Sequence, residues 1–451
     1  MLVTVYMPAY NYGSYIEEAI ESVINQTCKS WELIIINDGS TDNTKDILKK
    51  YSENVNIRVI NQENKGLNVT NNIGLRLARG KYIMRLDADD YLDSNAIQIL
   101  SDALENNPEA DLSFPDYYEV DPDGNILNLI RRDKLHKDSL LDMPAHGACT
   151  LYRTNILKSL GGYIEDFQCQ DGYELWIRFT QKHLPININL PLFYYRQHAG
   201  SLSKNKDKIL STRRAIKKKY FQSNGLGNNL KSTAIIFASR KTNHPKNDPL
   251  IDIAGKKLID FSLDETRKCK EIKEIIVTTP DQDVIDYISS NYKDIKIYKR
   301  ENNDIDQDRL SIINEIFYKR NPKYDVPDLF VLLNVNSPLR KSNHLSWAIH
   351  TMQIFEVDRV LSVDEELKNI YQHKDRGLEP INNNLINLKL EKDALFTENG
   401  AITIIKSDAM SKSISSLRTS HIVLLPEESV RINSDYEFWL AETILEKDSN
   451  F

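Results

Sequence analysis

The chain has 451 residues, enough for two or three domains, with 41% hydrophobic and 27% charged residues, the balance of an ordinary soluble globular protein. A formal net charge of -7 gives no general electrostatic reason to bind nucleic acid, and no nucleic-acid partner is expected. Four scattered cysteines, Cys28, Cys149, Cys169 and Cys269, form neither a zinc pattern nor a disulfide framework, which points to a reducing compartment. Met1 runs directly into a strand-like segment, with no signal peptide and no apolar run of membrane length, so the expected location is cytoplasmic.

The first half predicts alternating strands and helices. Val3 to Met7 reads as a strand, Tyr15 to Asn25 as an amphipathic helix, and Glu32 to Ile36 as a second strand. A helix from about Asp42 to Tyr51, a strand from Asn56 to Asn61 and a helix from Asn68 to Ala78 follow. The apolar run Tyr82 to Leu86 then leads into Asp87-Ala88-Asp89-Asp90. Such β-α-β succession predicts a mostly parallel sheet with helices on its faces. Residues 204–219 carry Lys204, Lys206, Lys208, Arg213, Arg214, Lys217, Lys218 and Lys219 against Asp207. This segment reads as a solvated helix at a domain edge, with peripheral contact to an anionic inner-membrane face as the alternative. The Gly- and Asn-rich stretch 223–231 reads as a linker. A second α/β pattern begins at Ser232, with strands at 233–238, 274–279, 329–333 and 359–363 and a helix at 257–268.

The strand ends of the first half carry chemistry. Pro8-Ala9-Tyr10-Asn11, Asn37-Asp38-Gly39-Ser40 and the Asp87–Asp90 cluster all follow strands, so a parallel sheet brings them to one edge. Crowded carboxylates repel one another, and a hard divalent cation, Mn²⁺ or Mg²⁺, offsets that repulsion while bridging phosphates. An aromatic ring, a carboxylate and a metal-binding cluster on one edge suit a nucleotide diphosphate. The simpler alternatives are that Asp38 or Asp171 caps the helix after it, and that His146 pairs only with backbone.

Residues 1–222 resemble the inverting family-2 glycosyltransferases of GT-A fold. The resemblance runs through Val5 to Asn11, Ile36 to Asp42, Asn64-Lys65-Gly66, Asn72, Ala78 to Tyr82 and Leu86 to Asp90. It continues through His146-Gly147-Ala148, Gly161-Gly162-Tyr163, Gln170 to Arg178 and Tyr195 to His198. It implies that Pro8, Tyr10 and Asp38 hold the nucleotide base, with Lys65, Asn72 and Asp87 beside the nucleotide. Asp89, Asp87 and His198 become the metal set, Asp89 the most direct ligand, and His146 and Gly147 lie on the acceptor side. Asp171 falls where the family places its general base, in a Glu-Asp pair whose first member is here Gln170.

Residues 232–451 resemble the cytidylyltransferases that make CMP-sialic acid and related sugars. The matching pieces are Ile235 to Ala238 with Pro245-Lys246-Asn247, Ala254 to Ile259, Val277-Thr278-Thr279, Ser337 to Arg340, Leu361-Ser362-Val363, Asn399 to Ile402 and Ser429 to Asn433. The first loop, Ser239-Arg240-Lys241-Thr242-Asn243-His244, lacks the glycines of that family, and Arg431-Ile432-Asn433 stands where it carries an Asp-Ile-Asp metal triplet. A guanidinium cannot ligate Mg²⁺. Arg240, Lys241, Lys246 and Arg340 remain candidate ligands for a phosphate or a sugar carboxylate. Asp306 and Asp308 read as solvated loop residues.

The expected fold is therefore two tandem nucleotide-binding Rossmann-like α/β domains, 1–222 and 232–451. The expected function is metal-dependent, inverting transfer of a sugar from a nucleotide sugar, a UDP-sugar by resemblance, to a glycan or lipid-linked acceptor in surface polysaccharide synthesis. The second domain reads as a degenerate scaffold, for instance for a homodimer. Two other readings fit: a bifunctional enzyme that also makes a CMP-linked nonulosonic acid, and a non-catalytic nucleotide-sugar-binding assembly protein.

Overall fold

The computed structural model describes residues 3–132, 135, 142–167, 169–198, 206–241, 244–301, 309–319, 325–366, 370–374, 377–380 and 395–448. Lys204, Thr242, Asn243, Asp306 and Asp308 lie outside these residues. The chain divides into two compact units, Met1–Ile216 and Lys217–Phe451.

The first unit opens with β1 (Val3–Ala9), α1 (Ile16–Ile24), β2 (Trp31–Asp38), α2 (Thr44–Lys49), β3 (Ile57–Gln62), α3 (Leu67–Leu77) and β4 (Tyr82–Arg85). It continues with β5 (Tyr91–Leu92), α4 (Ala96–Asn106), β6 (Ala110–Val120), β7 (Ile126–Ile130), β8 (Leu151–Arg153), α5 (Thr154–Ser159), α6 (Asp171–Thr180) and β9 (Leu184–Arg196). The helix α7 (Lys206–Ser223) crosses the division between the units. Its last turns belong to the second unit because Lys217 Nζ donates to Thr351 Oγ1 at 2.7 Å and the Phe221 ring lies 4.2 Å from that of His350. Arg213, read as part of a solvated basic face, instead donates to Gln170 Oε1 at 2.7 Å and stacks over Tyr173.

The sheet runs β3-β2-β1-β4-β8-β6-β9-β5, with β7 paired to β6. β1 is parallel to both β2 and β4, and β2 to β3. These central strands are buried on both faces, which is why they read as continuous apolar runs. Strand parity divides their side chains between two cores. Val3, Val5, Met7, Leu33 and Ile35 pack with α1 and α4. Tyr6, Ile34, Ile36 and Ile83 pack with α3 and α6. Gly74 lets α3 lie close to β1: a Cβ there would stand 2.7 Å from the Tyr6 ring. The order reverses at β1, so the loops after β1, β2 and β4 open a crevice at the carboxyl edge.

The second unit contains β10 (Ser232–Phe237), β11 (Asp252–Ile253), β12 (Lys256–Lys257), α8 (Leu258–Lys268), β13 (Glu274–Thr279), α9 (Gln282–Asn291), β14 (Lys296–Lys299) and α10 (Arg309–Asn314). After these come β15 (Leu329–Asn334), α11 (Ser342–Phe355), β16 (Arg359–Glu366), β17 (Tyr371–Lys374), β18 (Gly377–Pro380), β19 (Leu395–Lys406), β20 (Thr419–Val423) and α12 (Asp435–Asp448). Its sheet has the order β14-β13-β10-β15-β19-β16-β20, with β19 antiparallel to both neighbours. No helix among the described residues is long and apolar enough to cross a membrane.

Candidate active site

Two loops build the floor of the first crevice. β1 pairs with β4 only as far as Tyr6↔Arg85, so Pro8, which has no N–H to give, interrupts no ladder on that side. Tyr10 follows, 47% exposed. Asn11 takes a left-handed φ of 60°, and its Oδ1 accepts the Thr41 N–H at 2.8 Å while its own N–H donates to Ser40 Oγ at 3.0 Å. The loops after β1 and β2 are thus laced together.

Asp38, at the end of β2, is 5% exposed. Its Oδ1 accepts from the Lys65 N–H at 2.8 Å and Gln62 Nε2 at 2.6 Å, and its Oδ2 from the Gly66 N–H at 2.9 Å. It holds the loop that launches α3 and does not cap α2, whose N-cap is Asn43. The Lys65 side chain stands exposed on that loop.

From Gly66 onward α3 presents three asparagines at helical spacing. Asn68 Nδ2 donates to Ile164 O and Phe167 O at 2.7 and 2.8 Å. Asn71 Nδ2 donates to Asp171 Oδ2 at 3.2 Å. Asn72 Nδ2 donates to Tyr163 O and Glu165 Oε1, and its Oδ1 accepts the Tyr163 N–H at 2.8 Å. Asn72, expected beside the nucleotide, therefore uses its amide to fasten the 163–165 loop; both Nδ2 protons and one lone pair are committed there.

One guanidinium joins the candidate base, Asp171, to Asp87 of the acidic turn. Arg85 Nε and Nη2 donate to Asp87 Oδ1 and Oδ2 at 2.5 and 2.9 Å, a bidentate fork, and Nη1 donates to Asp171 Oδ2 at 2.5 Å. The Arg85 and Asp171 side chains are each 10% exposed. Burial alone would lower the Arg85 pKa, but Asp87 and Asp171 hold it well above its ordinary value, so the cation is permanent. Asp171 is the first residue of α6, after Gln170 in a left-handed N-cap conformation. The Gln170 side chain makes no cap hydrogen bond, and the Asp171 carboxylate lies in the first turn, where the helix dipole favours negative charge. Gly147 sits beside this pair: a Cβ there would lie 3.4 Å from Arg85 Nη1. His146 Nδ1 accepts the Ala148 N–H at 3.1 Å, and its ring packs among Tyr117, Phe193 and Tyr195.

The rest of the acidic turn faces the other way. Asp89, 8% exposed, meets His198 Nε2 at 2.9 Å through Oδ2. Asp90 Oδ1 accepts the Arg196 N–H at 2.9 Å, while its Oδ2 is buried without a partner. Burial, together with the charges of Asp89 and Asp87, pushes the Asp90 pKa well up. Arg196 braces the turn from behind, donating from Nε to Asp89 O at 3.0 Å and from Nη2 to Glu18. Burial and then Asp89 raise the pKa of Tyr12, so its phenol stays neutral against this edge.

A family model for glycosyl transferase family 2 matches residues 4–161. The Escherichia coli UDP-Glc:alpha-D-GlcNAc-diphosphoundecaprenol beta-1,3-glucosyltransferase WfaP is 33% identical over 213 residues, which cover 46% of this chain and 82% of that protein. The chain belongs to glycosyl transferase family 2. The E. coli chondroitin synthase is 38% identical over 128 residues, 28% of this chain, and the match spans only 19% of that longer protein. The Pasteurella multocida hyaluronan synthase is 35% identical over 127 residues, with 13% of its length covered. A solved structure, Staphylococcus aureus TarS 1–349 in complex with UDP-GlcNAc, aligns at a TM-score of 0.43 and 19% identity over 49% of this chain and 67% of that one.

The family-2 unit also contains residues that the motifs did not single out for a role. Arg85 and Arg196 fall within strand and motif segments, Asn71 within a helix, and Tyr12 within a loop. Of these only Arg196 carried a signal, a cation two residues from His198.

In the second unit the candidate ligands are dispersed among different partners. Arg240 pairs with Asp248 at 3.0 Å and with Asp283. Lys246 lies over the Phe438 ring at 4.4 Å. Arg340 corrects its expected role: it is 1% exposed, and its guanidinium donates to Asn334 O, Ala401 O and Ser262 Oγ at 3.1, 2.7 and 2.6 Å. Burial lowers its pKa to about 10. A side chain so enclosed braces the sheet and offers no open face to a ligand.

Proposed function

We propose that the family-2 unit transfers a hexosyl group from a nucleotide sugar, UDP-linked in this reading, to a hydroxyl of a glycan or lipid-linked acceptor, with inversion at the anomeric carbon. The observation that carries this reading is the Arg85 fork. It sets the Asp171 carboxylate one guanidinium away from Asp87, beside Gly147 and at the carboxyl edge of the sheet.

Asp171 takes the proton of the acceptor hydroxyl as its oxygen attacks the anomeric carbon, and the bond from that carbon to the diphosphate oxygen breaks. Asn71 and Arg85 orient the Asp171 carboxylate for this step. Tyr10 offers an exposed ring to the nucleotide base, and Pro8 and Asp38 shape the loop under it. Lys65 extends toward the phosphates.

The donor set fits Mn²⁺ or Mg²⁺. Asp89 oxygen and His198 nitrogen are 2.9 Å apart, and the unpartnered Asp90 Oδ2 adds negative potential behind them. When bound, such an ion stabilises the charge that develops on the leaving diphosphate. Asp87 commits both oxygens to Arg85, which leaves Asp89 and His198 as the side chains that would hold it.

Asp171→Asn is the direct test. Transfer should fall by about a hundredfold to ten-thousandfold, with donor affinity unchanged in a binding titration. Undiminished turnover in that variant would exclude Asp171 as the base.

A further inference from the structure

The second unit has its own crevice. β10 lies between β13 and β15, all three parallel, so the strand order reverses there and the loops after β10 and β15 part at the carboxyl edge. Three segments meet beside the end of β15. The Ile432 N–H donates to Asn336 O at 2.8 Å, Asn334 Nδ2 donates to Gly400 O at 2.9 Å, and the Arg431 guanidinium lies against Gly400. A Cβ on Gly400, whose φ is +69°, would stand 3.0 Å from Arg431 Nη1. Arg340 ties the frame together from below through Asn334 O and Ala401 O.

The frame is hydrogen-bonded, but the cation it carries is not. Arg431 is half-buried, its Nε is shut off from solvent, and its guanidinium makes no hydrogen bond or ion pair among the described residues. In the loop after β15, Asn336 Oδ1 and Ser337 Oγ are also buried without partners. Buried polar groups are normally satisfied, and an unpaired cation out of water is costly. An oxyanion offsets that cost best, because the planar guanidinium fits a carboxylate or phosphate with two parallel hydrogen bonds.

We propose that Arg431 holds the oxyanion of a small ligand, a phosphate ester or a sugar carboxylate, at the carboxyl edge of the second sheet. The site differs from the one expected there, since a cation replaces carboxylates and the ligand it selects is an anion, not a metal. Gly400, without a Cβ, leaves room for the Arg431 guanidinium, and Arg340 acts as a positioning residue through Asn334 O and Ala401 O.

Hydrogen-exchange mass spectrometry on the full chain at low ionic strength tests this, with inorganic phosphate and glucuronate as separate probes. Protection should appear in 334–340, 399–402 and 429–433. Phosphate alone acting identifies a phosphate ester, glucuronate alone a sugar acid, and both a general oxyanion site. In Arg431→Gln the concentration needed for protection should rise about tenfold or more, with a smaller rise in Arg431→Lys. Absence of protection with either probe, or protection unchanged in Arg431→Gln, overturns the proposal. Thermal melting without added anion gives a second readout. Arg431→Met should melt no lower than the parent chain, because it removes an uncompensated cation; a fall of several degrees would mark Arg431 as a structural brace and overturn the proposal.

Discussion

Arg85 shows how a single residue can organise a site whose better-known members are acidic. Its guanidinium contacts Asp87 and Asp171, the latter 86 positions away in sequence. Removing one partner of a buried pair costs far more than the pair contributes, because the other charge is left uncompensated. Arg85→Ala should therefore lower the unfolding free energy in urea by about 3–5 kcal/mol. Combining it with Asp171→Asn should restore part of that loss, and strict additivity of the two changes would show that the pair is uncoupled. The sequence revealed the aspartates because their spacing is a motif. Arg85 stayed hidden, since an arginine at a strand end looks the same whether it faces solvent or two carboxylates. Asp38 was legible as a strand-end residue, but its hold on the amides of Lys65 and Gly66 is tertiary and left no local trace.

At the scale of elements, the buried parallel strands were the easiest to read, because burial on both faces leaves an unbroken apolar run. β6 was not, since Pro115 and Asp116 interrupt it and the pairing with β9 shifts register there. The short β5 and the hairpin of β17 with β18 carry too few residues for a pattern. One contact between elements has a pH signature. Glu271, after α8, meets His350 Nε2 of α11 at 2.9 Å and accepts from Ser346 Oγ at 3.0 Å. The His350 hydrogen bond, aided by Ser346, outweighs burial and lowers the Glu271 pKa from 4.5 to about 2. A carboxyl depressed in the folded state stabilises it above the unfolded pKa, and that stability drains away as pH falls through the folded one. Glu271→Gln should thus be less stable than the parent chain at neutral pH, with the gap closing between about pH 4.5 and about pH 2. A gap that does not change with pH would mean that the carboxylate charge plays no part.

At the scale of the whole molecule, each unit has its own hydrophobic interior: two faces of one sheet in the first, and a cluster around Ile235, Ile276, Phe330 and Leu332 in the second. Chains built this way commonly depart from two-state unfolding. Scanning calorimetry should resolve two transitions, and UDP with Mn²⁺ should raise only the one belonging to the family-2 unit, by about 2.7 kcal/mol at a hundredfold excess over Kd. A single transition that moves as a whole would contradict this. The tandem α/β organisation was legible from composition shifts and strand spacing. The division at Ile216 was not, because the helix that contains it has no break in its pattern there.

The asparagine face of α3 has a consequence for how this chain can vary. Asn68, Asn71 and Asn72 share one side of the helix only while their spacing is intact. Adding or deleting one residue within the helix would turn everything beyond it by about 100°. The segment that leads to Asp171 would then lose part of its anchorage. A chain that keeps this site must therefore keep α3 in phase, because Asn68, Asn71 and Asn72 hold their partners from one face.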